Sequence, residues 1–174
     1  MCEVGLEGDP PRVLDCAALK AALETGKATL ENLIISVQSY SWSDLWYEDP
    51  MPKTGIRGTL NSLRDFENLV ELEIPIVLLM GMDPGGKQPL NRRLPRNVRS
   101  LCLRDDISPF KAYRWSSEAV LEVLHTFVRD RLGHYPELKA LGLILNDNHE
   151  DAGKFWLAIF QDVCQSAGIR PKIS

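Results

Sequence analysis

The sequence predicts an α/β fold, an irregular leucine-rich-repeat-like solenoid with parallel strands and with helices on its convex side. Two observations predict it: a strand signature that recurs four times, and helix-like segments between the recurrences. The signature is Leu-x-x-Leu-x-Leu, with Ile or Val allowed. It falls on Leu30, Leu33 and Ile35; on Leu69, Leu72 and Ile74; on Val98, Leu101 and Leu103; and on Leu138, Leu141 and Leu143. The last two apolar positions of each unit are two apart, which sets them on one face of a strand. The first lies at the bend leading into it. Successive units start 39, 29 and 40 residues apart. Ordinary leucine-rich repeats span about 20–29 residues, so two of these units carry insertions. Adjacent parallel strands are expected at 32–36, 71–75, 99–103 and 139–143, in that order.

The helices follow from caps and stripes. Asp15 is placed to cap a helix over 15–25 that carries Leu19 and Leu23, with Gly26 as its stop. Ser116 is placed to cap a helix over 117–132, with Val120, Leu121, Leu124, Phe127 and Val128 on one stripe and Gly133 just past the end. Asp151 opens a helix over 152–167 that turns Ile159, Phe160, Val163 and Cys164 inward and stops at Gly168. The stretches 62–66, 76–80 and 90–94 are long enough only for single helical turns. Three residues beyond each strand's last apolar position come Gln38, Val77, Asp106 and Asn146. Three of these four are polar, as side chains that bond turn backbone are.

At 174 residues the chain suits one domain, expected over 12–173, with a flexible Gly/Pro-rich tail at 1–11. The net charge of −4 gives the whole chain no basic footprint for nucleic acid or anionic lipid. Arg92, Arg93, Arg96 and Arg99 read as a solvated face. Cys2, Cys16, Cys102 and Cys164 form no close pair, whereas metal knuckles and redox dithiols need one. The longest apolar run, 74–80, falls far short of the ~20 residues of a membrane span. A reduced, intracellular protein is expected, without cofactor.

Local catalytic and metal signatures do not complete. His149-Glu150 lacks the second histidine of a zinc helix, since Gly153 stands there, and Gln88 follows Gly85-Gly86-Lys87 where a phosphate loop needs Ser or Thr. No nucleophile elbow occurs, and no nucleophile neighbours His125, His134 or His149. No catalytic or metal-binding residue is therefore assigned, and a non-catalytic module that binds a protein partner is the expected class. The alternative is an enzyme whose site lies in the loops following the strands. In a solenoid the residues between the apolar pairs point to the concave side, which nominates Glu71, Glu73, Ser100 and Arg104 for partner binding. An aromatic, acidic insertion adds Trp42, Trp46 and Tyr47, residue types that often anchor interfaces.

The order of these segments has a parallel in a known family. "SLRDFENLVELEIP" over 62–75, then "LPRNVRSLCLRDD" over 94–106, with "PELKALGLIL" and "DVCQSAGIRPKI" after them, resembles the C-terminal leucine-rich-repeat-like region of fungal F-box proteins. The likeness spans about residues 14–173. It implies substrate recognition in a ubiquitin-ligase context. The F-box itself, an N-terminal helical segment opening on a Leu-Pro-type motif, has no match here. Contact with the ligase adaptor is thus expected only if such a box lies upstream.

Overall fold

The computed structural model describes residues 14–37, 56–85, 89–105, 115–144 and 150–173. The elements run β1 (Leu14–Asp15), α1 (Cys16–Thr25), β2 (Asn32–Ile34), β3 (Ile56–Arg57), β4 (Glu71–Pro75), α2 (Ile76–Met80), a 3-10 turn (Leu90–Arg92), β5 (Ser100–Arg104), α3 (Ser117–His134), β6 (Ala140–Ile144), α4 (Glu150–Ser166) and β7 (Arg170–Ile173). Strands β2, β4, β5, β6 and β7 form one sheet in that order, parallel throughout. A separate two-residue parallel pair joins β1 to β3.

The four expected strands are all present and adjacent. Strands β5 and β6 run one residue later than expected, and β2 ends at Ile34. Strand β7 and the β1–β3 pair lie beyond the fourfold signature. Strand β7 contains Pro171, which cannot donate to a ladder and is tolerated because the strand closes the sheet's edge.

The apolar positions face one way and make the core. Leu33, Leu72, Leu101 and Leu141 stand in register across four strands. All four are buried, Leu101 and Leu141 completely. They share one apolar cluster with Ile74, Leu103, Leu143 and the buried helical residues Leu124, Phe127, Phe160 and Cys164. The helices therefore pack on the leucine face of the sheet. Burial of one such side chain stabilises by roughly 1.5–3 kcal/mol, so each member of the row contributes to the sheet's cohesion.

Local signals set the helix ends. Asp15 Oδ1 accepts from the backbone N–H of Ala17 at 2.8 Å and of Ala18 at 3.3 Å, which caps α1. Ser116 Oγ accepts from the Ala119 N–H at 3.2 Å at the start of α3. Gly168, at φ +66, follows α4 and takes the left-handed conformation that ends a helix. Helix α3 passes through Gly133 to His134, and α4 begins at Glu150. Gly26 ends α1 as expected, at φ −98, whereas Gly133 keeps the helical conformation and lets α3 run on by one residue. Of the three single turns, 76–80 is helical and 90–92 is 3-10, whereas 62–66 forms no helix.

One turn recurs before three strands. The N–H of Leu69 bonds the Phe66 carbonyl at 3.1 Å, Val98 bonds Pro95 at 3.4 Å, and Leu138 bonds Tyr135 at 3.2 Å. Two asparagines at the same place in their units tie neighbouring units together. Asn68 Nδ2 donates to the Ala28 carbonyl at 2.5 Å, and Asn97 Nδ2 donates to the Glu67 carbonyl at 2.7 Å. Of the residues three beyond the strands' last apolar positions, Gln38, Asp106 and Asn146 lie outside the described residues, and Val77, the apolar member, is buried within α2.

Arg93 departs from the solvated face expected of it. Only 8% exposed, it donates from Nη1 to the Leu79 carbonyl at 2.6 Å and the Asn61 carbonyl at 3.3 Å. Burial lowers its pKa below the usual arginine value. The guanidinium thereby satisfies one carbonyl that α2 leaves open near its C-terminal end, that of Leu79, and one in the segment before β4, that of Asn61.

Candidate partner-binding face

Period two along each strand turns the residues between the leucines to the opposite face. Register aligns them in rows. One row holds Asn32, Glu71, Ser100, Ala140 and Arg170; the next holds Ile34, Glu73, Cys102, Gly142 and Lys172; a third holds Pro75, Arg104 and Ile144. The four strand residues nominated for partner binding, Glu71, Glu73, Ser100 and Arg104, thus come together on one face. The tail 1–11 and the residues Trp42, Trp46 and Tyr47 lie outside the described residues, as do 106–114 and 145–149 after β5 and β6.

Charge on this face is unevenly distributed. Arg104 pairs with Glu73 across β4 and β5, and both side chains are partly buried. Glu71 is exposed at the start of β4. On β7, Arg170 and Lys172 are both exposed. Lys172 Nζ donates to Ser100 Oγ at 2.9 Å, reaching two strands away over β6.

That reach depends on a low floor. Strand β6 presents only Ala140 and Gly142 beneath the lysine. A Cβ on Gly142 would stand 2.7 Å from Cys102 Sγ and 3.3 Å from Cys102 Cα. Glycine there lets Cys102 lean over β6, and the thiol is only 8% exposed. Cys102 and Ala140 are buried but stand outside the main apolar cluster, which lies on the other face.

Ile34 gives the face its other feature. It is a large apolar side chain left 72% exposed. It sits at the acidic end of the row that ends in Lys172.

Elsewhere, cavities lie on the helical side. One of about 210 Å³ lies between α3 and α4, against Leu121, His125, Ile159 and Phe160. Another, of about 350 Å³, is bounded by Met80, Leu90, Asn91, Glu122 and Phe127. Among the described residues no three His, Cys, Asp or Glu side chains converge to hold a metal ion, and no helix is long and apolar enough to cross a membrane.

Sequence reasoning missed Arg170 and Lys172. Their strand carries no Leu-x-x-Leu-x-Leu, and Pro171 argues against a strand. The available signal was the charged–Pro–charged–Ile alternation directly after the helix stop at Gly168. It also missed the asparagines, although each directly precedes the first apolar residue of its unit, as Asn68-Leu69 and Asn97-Val98.

Set beside known proteins, the chain finds no match: no protein-family model, no curated protein and no solved structure aligns with it.

Proposed function

We propose that this chain is a non-catalytic protein-interaction module that binds a partner protein through the polar face of its five-stranded sheet. Its units form an irregular leucine-rich-repeat arc, and its role is substrate recognition of the kind served by the repeat-like region of F-box proteins. One observation carries the reading. A sheet whose leucine face holds the core presents Glu71, Glu73, Ser100, Arg104, Arg170 and Lys172 together on its other face. The recurring turn and the asparagine ties between units support the repeat arrangement. Exposed side chains of both signs on a stiff sheet suit recognition, where charge sets partner choice and encounter rate more than affinity.

Affinity isolation from the native cell, comparing the wild-type chain with an E71R/R170E variant, tests this. Both sites are exposed, so the variant keeps its fold, which circular dichroism verifies. One or a few proteins held by the wild type and lost by the variant are expected. Identical sets of bound proteins would contradict the reading. Copurification of a ubiquitin-ligase adaptor with the natural gene product tests the F-box context separately.

A further inference from the structure

We infer that the β5–β7 end of this face takes an extended, acidic segment of a partner protein, one that presents a carboxylate at every second residue. The inference rests on the reading of this face as an interface and goes beyond it by giving the partner's chemistry.

Among the described residues Arg170 and Lys172 form no ion pair, and the one hydrogen bond of the Lys172 ammonium goes to a neutral hydroxyl, that of Ser100. Arg104, on the next strand but one, is matched by Glu73. The end of the face near β7 is therefore cationic in a chain whose net charge is −4. A local sign opposed to the global one attracts an anionic partner without promoting general polyanion binding.

Arg170 and Lys172 are two apart on one strand, so their side chains leave the sheet on the same side about 6.6 Å apart. An extended segment repeats its own side chains at the same interval, so carboxylates at alternate positions meet both cations in register. Carboxylates three apart point to opposite sides, and only one of them reaches.

Strand β7 also resists the competing mode, pairing along its edge. The Arg170 N–H bonds the Lys139 carbonyl of the preceding unit at 2.9 Å. Alternation then turns the backbone of Pro171 outward, and proline has no N–H to offer. Edge pairing is blunted, and recognition falls to side chains on the face. Lys172 turns from Ser100 to the incoming carboxylate as the segment docks.

Fluorescence anisotropy with the full chain decides it. The probes are labelled peptides with equal numbers of glutamates, at every second or every third residue among serines, together with a lysine counterpart of the first and a single-stranded oligonucleotide. The alternate-glutamate peptide should bind at least about tenfold more tightly than the other three and weaken as salt rises. R170E/K172E should abolish binding, whereas K20E/R129E, with the same change in net charge on α1 and α3, should keep it. Equal binding of the two acidic peptides, tighter binding of the oligonucleotide, equal loss in both variants, or no binding at all would overturn the inference. If the acidic peptide fails while E71R/R170E still loses a native partner, the interface reading stands and only the acidic-segment inference falls.

Discussion

Tyr135 shows how much one residue before a strand can hold together. Its ring is 1% exposed and packs on Phe127 with centroids 5.2 Å apart. Its hydroxyl donates to the Asn91 carbonyl at 2.5 Å and the Leu94 carbonyl at 3.3 Å, linking the turn before β6 to the segment before β5. Burial pushes the phenol up to about 12, against the smaller pull of Arg64 and Arg96. Burial likewise pushes the Cys164 thiol up to about 11. Both acids hold their protons more tightly folded than unfolded. Their stabilisation is complete below their ordinary values and is lost as pH rises, from about 9 through 11 for Cys164 and from about 10 through 12 for Tyr135. Tyr135→Phe should cost about 1–2 kcal/mol at pH 7 through the lost hydrogen bonds. It should also flatten the fall in stability above pH 10. Urea titrations of both proteins between pH 7 and 12 measure this, and parallel pH profiles would contradict it.

At the scale of elements, strands β5 and β6 are matched through a missing side chain. Gly142→Ala sets a methyl group 2.7 Å from Cys102 Sγ and close to the Cys102 backbone. It should cost on the order of 1–3 kcal/mol, as overpacking does. Cys102→Gly should recover part of that cost in the double variant, a coupling that additive losses would refute. On the opposite face, Leu101→Ala should cost about 2–5 kcal/mol, because Leu101 is fully buried in the central strand. A loss below about 1 kcal/mol in chemical unfolding would show that the leucine row is not the core.

These elements also mark what was legible in the chain. Leucines spaced to one face announced four strands, their order and their inward row, because burial acts on every unit alike. Asp15 and Ser116 announced their helices because capping is local. The face's cationic end was not legible. Arg170 and Lys172 gain their place only from pairing with β6, a contact made by a strand without the repeat signature. Arg93 misled for the reverse reason: a charge in an arginine-rich run is buried by carbonyls that the fold, and not the local sequence, brings to it.

At the scale of the molecule, the two ends of the sheet differ. The β7 end carries charge and proline, whereas the β2 end is thinly covered. Helix α1 buries only Cys16 of its ten residues, Leu19 and Leu23 stay partly exposed, and Ile34 is 72% open. An apolar edge strand invites pairing with another chain. At high concentration the 19.6 kDa chain should scatter light as more than a monomer, and Ile34→Lys should restore the monomer mass. A wild-type chain that stays monomeric would show that this end is closed.

The central claim, that the polar face of the sheet is where a partner docks, is tested most directly by photo-crosslinking in the native cell. A photoreactive amino acid is placed at Glu71 or Ser100 on that face and, as reference, at Arg129 on the exposed side of α3. Positions 71 and 100 should both yield an adduct with the same protein, and position 129 should yield none with it. Adducts at position 129 with that protein, or none at 71 and 100, would contradict it.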